Sequence, residues 1–336
     1  MRILFVGDLQ IGTNSRSLFD GLLAEGHDTR GVDISPSIRP RRLSRLWHSL
    51  RVQKQVTPEE DLRIRAQVGA LHTAMKPQLL IAIKTIHYDQ STFLESGIPV
   101  AVHVSFDDVS NSFNTSPRYM ETEAAWSAIV TTKKHNVDEL YSRGAQRVQF
   151  IWGAYDPLFR RREAPLLGRP YQIGFIGAAR PDRIALPMEL ARLAPRSSAV
   201  YGPQWRRHYP LGVRGTFIPG NATASNYTKA ANSIQIGLVL LNSDNRDMHT
   251  NRSFETPATG QLVLAQRTAE HLEILAEDRE ALYFEAKEEL QEKYQFAKAN
   301  PAAMERLAEA GYERITRGAN TWQNRAAEIV SMASEL

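Results

Sequence analysis

The sequence has no cysteine among its 336 residues. That absence excludes disulfide scaffolds, thiol nucleophiles, zinc ribbons and iron–sulfur clusters together, and it suits a reducing, cytoplasmic setting. Long apolar runs are also missing. No window approaches the roughly 18 apolar residues of a spanning helix, and Ile3 to Val6 is broken by Gly7-Asp8 too early for a signal sequence. Neither secretion nor membrane spanning is expected. A large excess of one charge is absent too, since 41 Lys and Arg face 37 Asp and Glu for a net charge of +4. Any nucleic-acid or membrane contact must therefore come from a local patch. The chemical motifs that are absent narrow the field further. There is no H-E-x-x-H or D-x-D cluster, no G-x-S-x-G elbow, no G-x-G-x-x-G fingerprint and no repeat of fixed period, so a metal site, a hydrolase triad and a dinucleotide site are not expected.

What remains is an alternation of short apolar runs and helical stretches. Strand candidates in the first half are Ile3 to Val6, Gln78 to Ile83, Pro99 to Val104, Ala128 to Thr131 and Val148 to Ile151, with helices at Ser15 to Glu25 and Asn136 to Arg143. The polar, proline-bearing stretch Asp156 to Pro165 reads as an interdomain linker. A second cycle follows, with strands at Gln172 to Ile176, Ala199 to Tyr201, Gln235 to Leu241, Gln261 to Ala265 and Ala281 to Phe284. Its intervening helices are Pro187 to Leu193 and Ala224 to Ala231. From Ala286 the chain is almost wholly helical, with one helix opened by Pro301 and closed by Gly318 and a last one at Thr321 to Met332. The pattern predicts an α/β chain of two Rossmann-like domains facing a central cleft. The first would be 1–165, with the C-terminal helix 319–336 packing back on it, and the second 166–318.

The strongest chemical signal is His249-Thr250-Asn251-Arg252-Ser253-Phe254-Glu255-Thr256-Pro257-Ala258-Thr259-Gly260, after the strand ending at Leu241. A helix starting near Thr250 would aim free amides at an anion, Arg252 would supply a fork of donors for phosphate, Glu255 would accept a ribose diol, and Gly260 would end the helix. An ordinary capped helix with a surface Arg–Glu pair is the competing reading. A second phosphate candidate is the strand-to-helix turn Gly177-Ala178-Ala179-Arg180-Pro181-Asp182-Arg183, with Gly177, Arg180 and Arg183 as ligands. Tyr201, Gly202 and Trp205 follow the next strand, where Trp205 is either a base-stacking ring or a buried loop anchor. In the first half, Gly12, Thr13 and Asn14 follow the opening strand and would line an acceptor cleft. Asp107 and Asp108 follow the strand ending at Val104 and are candidates to orient or deprotonate an acceptor, or to cap the next helix. His103 reads as a core histidine, and His249 as a catalytic candidate.

These blocks resemble the CgeB-like (spore maturation protein) glycosyltransferases. The likeness runs from His249 to Gly260 and Leu262-Val263-Leu264, through Glu288-Glu289-Leu290 and Ala308 to Arg314, to Thr321 to Arg325. In the first half it takes in Ser105 to Val109, Val130 to Lys133, Glu139-Leu140, Gly144-Ala145 and Ala154 to Pro157. The resemblance implies a GT-B fold with the donor nucleotide in the second domain, no cofactor, and no metal. Glu255 matches the glutamate that holds the donor ribose, and Asp247 stands where related retaining enzymes often carry another glutamate. The expected activity is transfer of a sugar from a nucleoside diphosphate sugar, a UDP-sugar, to a hydroxyl on a glycan, protein, lipid or modified DNA base. A sugar-nucleotide epimerase and a non-catalytic carbohydrate or nucleic-acid binding protein are the alternatives.

The basic segment Arg39 to Lys54 carries Arg39, Arg41, Arg42, Arg45, Arg51 and Lys54 without a carboxylate, and Leu43, Leu46, Trp47 and Leu50 share one helical face. It reads as a surface helix of its own domain, a peripheral membrane contact or a phosphate-tracking surface, with Arg160 to Arg162 as a second basic cluster.

Overall fold

The computed structural model describes residues 1–35, 56–205, 216–220 and 222–336. The segment Arg39 to Lys54 and the helix expected in it lie outside the described residues. The chain divides into two compact units, one comprising Met1–Trp152 with Trp322–Leu336 and the other Gly153–Thr321.

The first unit is built on six parallel strands: β1 (Arg2–Gly7), β2 (Asp28–Asp33), β3 (Leu79–Ile83), β4 (Val100–Ser105), β5 (Ala128–Thr131) and β6 (Val148–Phe150), in the order β2-β1-β3-β4-β5-β6. Every residue of β3 is buried and apolar, as a strand covered on both faces requires. Between the strands lie α1 (Asn14–Ala24), α2 (Pro58–Met75), α3 (Ser91–Leu94), α4 (Pro117–Met120) and α5 (Lys134–Ser142). The C-terminal helix α12 (Trp322–Ala333) belongs to this unit and packs on α1. Gly21 is required at that contact, because a Cβ there would lie 2.8 Å from the Trp322 carbonyl oxygen.

The second unit also has six parallel strands: β7 (Tyr171–Ile176), β8 (Ser198–Tyr201), β9 (Thr216–Gly220), β10 (Ile234–Val239), β11 (Leu262–Gln266) and β12 (Leu282–Phe284). Their order, β12-β11-β10-β7-β8-β9, is that of a doubly wound sheet. Chain order reverses between β7 and β10, and at such a switch point a doubly wound sheet characteristically opens a crevice at the carboxyl ends of its strands. The helices are α6 (Leu186–Leu193), α7 (Ser225–Ala231), α8 (Arg252–Ala258), α9 (Ala269–Ile274), α10 (Lys287–Ala299) and α11 (Pro301–Arg317). Helix α8 sits close on β10, where a Cβ at Gly237 would meet Thr256 Cγ2 at 2.4 Å.

The units divide after Trp152 and after Thr321, where the sequence pattern placed the divisions at 165/166 and 318/319. Residues 156–165 are not a free linker but a strap fastened to the second unit. Asn232 Oδ1 accepts the amides of Glu163 and Ala164 at 2.8 and 3.2 Å, and Thr228 donates to the Phe159 carbonyl at 2.5 Å. Side-chain bonds to a distant helix end satisfy a backbone that has no strand or helix of its own. Polar composition and proline carried no trace of that tie.

Candidate functional site

The crevice after β7 and β10 is laced by charged side chains. From the loop after β7, Arg183 Nε donates to the Leu241 carbonyl at 3.1 Å, Asp182 accepts the Ser243 amide at 2.9 Å, and Arg180 pairs with Asp244 at 3.0 Å. From α8, Arg252 Nε donates to the Ile176 carbonyl at the end of β7, at 2.9 Å. Arg180, Arg183 and Arg252 are therefore brought to one place, although they come from a loop and a helix far apart in sequence. The Arg180–Asp244 pair is exposed, so little is lost when Arg180 turns to another anion.

Glu255 lies beneath this layer, 2% exposed, with Arg160 Nε 3.0 Å from its Oε1 and Arg252 against its Oε2. The guanidinium carbons of Arg160 and Arg252 each lie 4.5 Å from the centroid of the Tyr227 ring. Burial pulls the Arg252 pKa below its usual value, and the charges of Arg160 and Arg183 act in the same direction. An arginine stays protonated even so, and two guanidiniums on one carboxylate leave a buried surplus of positive charge. Arg160 Nε and Glu255 Oε2 are taken up in these ion pairs, whereas the Tyr227 hydroxyl is buried without a hydrogen-bond partner. Such a hydroxyl costs about 1–3 kcal/mol unless something completes it. The cluster has the chemistry to receive an anion on its arginines and hydroxyls on its carboxylate.

Several sequence expectations are corrected here. The start of α8 is not a nest of free amides. The Thr250 amide donates to Ser253 Oγ, the Arg252 amide to Thr250 Oγ1, and the Ser253, Phe254 and Glu255 amides to the carbonyls of Thr250 and Asn251. The helix end therefore has few free amides to offer an anion. Asn251 Oδ1 accepts the Ala154 amide at 3.4 Å. His249 is buried at 1% exposure with both ring nitrogens engaged. Its Nε2 accepts the Gly153 amide at 3.1 Å, which places the proton on Nδ1, bonded to Glu270 at 2.5 Å. A ring held on both sides positions the chain and has no nitrogen to offer a substrate.

Trp205 is fully buried, and its indole donates to the Gly177 carbonyl at 2.8 Å while its ring meets Phe175 edge-on. It anchors the loops and cannot stack on a base. Gly177 is held on its other side by its amide, which donates to the Tyr201 carbonyl. Gly202 has φ of +148°, and a Cβ there would reach the Gly177 carbonyl oxygen at 1.9 Å. Tyr201 is half-buried with its hydroxyl 3.0 Å from Ser233 Oγ. Gly260 only ends α8, packed against Arg162. The expected basic cluster at Arg160 to Arg162 is dispersed: Arg160 is on Glu255, Arg161 on Glu163 and Arg162 on Glu309.

In the first unit, Thr13 caps α1 by accepting the Arg16 amide and donating to the Asp8 carbonyl, while Gly12 (φ +88°) makes the preceding turn and Asn14 opens the helix. These three residues make the turn and the start of α1. Asp108 is buried, receiving the Ser110 amide at 3.0 Å and Asn136 Nδ2 at 2.9 Å, so it caps a turn. Asp107 is partly exposed, with Lys84 3.5 Å away, and is the carboxylate of the two that a substrate can reach. His103 is a core residue, bonded to the Tyr119 hydroxyl at 2.7 Å and packed near Trp126. Among the described residues no three His, Asp or Glu side chains converge as a metal site would need. Also among them, no helix is long and apolar enough to cross a membrane.

Sequence reasoning saw Arg160 only as part of a basic cluster in the supposed linker and missed both its place on Glu255 and Tyr227, which looked like any apolar position of a short helix.

Residues 183–331 match the family model described as Glycosyl transferase-like. No curated protein matches the sequence. Solved structures match over nearly the whole chain. That of Anabaena Alr3699/HepE in complex with UDP-glucose is 11% identical, with a TM-score of 0.66, covering 99% of this chain and 100% of the other. The sucrose-phosphate synthase of Thermosynechococcus elongatus is 14% identical with a TM-score of 0.64, covering 100% and 98%. A putative UDP-N-acetylglucosamine 2-epimerase from Listeria monocytogenes is 15% identical with a TM-score of 0.60, covering 100% and 97%. At such identities the likeness is one of fold. The chain therefore has the two-unit Rossmann-like fold of the GT-B glycosyltransferases, and most of its second unit carries glycosyl transferase-like sequence.

Proposed function

We propose that the chain is a glycosyltransferase of the CgeB-like kind, moving a sugar from a UDP-sugar to an acceptor hydroxyl. The observation that carries this is the arginine layer over a buried glutamate at the point where the second sheet reverses its order. A nucleoside diphosphate has the matching chemistry, two linked anions beside a ribose diol. Arg252, Arg183 and Arg180 hold the diphosphate, and Glu255 accepts the ribose hydroxyls. In the reaction the acceptor oxygen forms a bond to the anomeric carbon as that carbon's bond to the phosphate oxygen breaks. The diphosphate leaves with the electron pair, stabilised by the arginines. Asp107 is the carboxylate available to orient the acceptor hydroxyl and take its proton. Glycan, protein, lipid and modified DNA bases all present such a hydroxyl.

Thermal-shift titration against UDP, GDP, ADP and TDP tests the donor assignment, because a ligand that binds the folded state raises the melting temperature by mass action. A shift selective for UDP that is lost in Arg252→Ala is expected. No shift with any nucleotide in a folded sample overturns the reading. The epimerase-like neighbour supports a second reading, conversion of the UDP-sugar itself. Release of UDP only when an acceptor is added separates transfer from epimerisation.

A further inference from the structure

Two arginines share the Glu255 carboxylate, but a ligand can reach only one of them. The Arg252 side chain is 29% exposed, whereas that of Arg160 is 6% exposed and sits on the far carboxylate oxygen. The Tyr227 ring lies against both guanidiniums. An arriving phosphate can draw Arg252 off Glu255, and Arg160 cannot follow it.

We propose that Arg160 is a positioning residue for donor binding: it compensates Glu255 while Arg252 exchanges that carboxylate for the phosphate of the nucleotide. The proposal rests on the donor-site reading above. Removing one partner from a buried ion pair strands the other charge, which is strongly disfavoured. With Arg160 in place, Glu255 keeps a full counter-charge after Arg252 leaves, remains ionised, and turns its vacated Oε2 to the ribose. Without Arg160, Arg252 is the sole counter-charge of Glu255 and is not given up. The Tyr227 hydroxyl, buried without a hydrogen-bond partner, fits a cluster completed only when the ligand arrives.

The experiment is calorimetric titration of the full chain with UDP and with uridine, which lacks the phosphate that would compete for Arg252. Arg160→Met should weaken UDP about tenfold or more and uridine less than about threefold, because only UDP needs the exchange. Glu255→Gln removes the demand for a counter-charge, so the double variant Arg160→Met/Glu255→Gln should bind UDP as Glu255→Gln alone does. That last comparison stands even where Arg160→Met fails to fold, since the double variant removes both buried charges. Equal loss of UDP and uridine in Arg160→Met, or a double variant that binds UDP about tenfold more weakly than Glu255→Gln, overturns the exchange. Absence of UDP binding by the unmodified chain overturns the donor reading itself, and the exchange with it.

Discussion

At the scale of single residues, burial decides what each histidine can do. His103 in the first unit is fully enclosed, and burial brings its pKa down to about 3. His271 in the second is brought down to about 4, again by burial, with its Nδ1 on the Gln266 carbonyl and its Nε2 on Ser253. Both are neutral in the folded chain at pH 5 and protonated in much of the unfolded chain, so the unfolded state binds more protons. Stability is therefore expected to fall as pH drops from about 6.5 toward 4, by roughly 1.4 kcal/mol per pH unit for each histidine in that window. Urea midpoints measured from pH 7.5 to 4.5 check this, and His271→Gln should reduce the slope. His249 makes a different prediction. His249→Phe removes the ring's bonds to the Glu270 carboxylate and the Gly153 amide, at a cost of about 1–3 kcal/mol of stability. A ring that only positions the chain takes no part in the reaction, so the rate of transfer per folded molecule should be unchanged in that variant.

At the scale of elements, the loops after β7 and β8 depend on one close approach. The Gly177 carbonyl takes the Trp205 indole, and Gly202 must lack a Cβ to pass beside it. Gly202→Ala is expected to destabilise the second unit by roughly 2–4 kcal/mol, through both the positive φ and the collision. Guanidinium unfolding followed by Trp205 fluorescence measures it. The elements also show where a sequence pattern is legible. The central strands β1, β3, β4, β7, β10 and β11 stand out because their burial on both faces makes them continuous apolar runs. Strand β2, Asp28-Thr29-Arg30-Gly31-Val32-Asp33, has only two buried residues and no such run. Helix α2 has a weak apolar stripe, yet its start is written in Thr57-Pro58-Glu59-Glu60, where Thr57 and Glu60 cap each other's backbone amides. That box could have found it.

At the scale of the molecule, each unit has its own apolar core. Two separable unfolding transitions are expected, because burial within a unit gives cooperativity within that unit. Trp205 is the one tryptophan among the five that lies in the second unit, so its fluorescence isolates that transition. UDP at a hundred times its dissociation constant should stabilise the Trp205-reported unfolding by about 2.7 kcal/mol. The transition of a Trp205→Phe variant, seen through the remaining tryptophans, should move much less.

The sequence by itself determined the class of fold and pointed to the neighbourhood of the candidate site. Buried parallel strands must be apolar throughout, helices must start and stop at caps, and a sheet that reverses its order opens at the carboxyl ends of its strands. Those constraints are local or topological, so Arg252, Glu255, Arg180 and Arg183 could be picked out one segment at a time. Which of the candidates are free to act was decided only by the tertiary structure. Asp108 and Asp107 are adjacent in sequence, yet one is a buried cap and the other is partly exposed beside Lys84. Trp205 and His249 are fixed by carbonyl and amide partners from distant segments. Arg160 reaches Glu255 across 95 positions of chain because the strap that carries it is fastened to Asn232 and Thr228. Hydrogen bonds and ion pairs between segments depend on distance in space, and no local pattern encodes that distance.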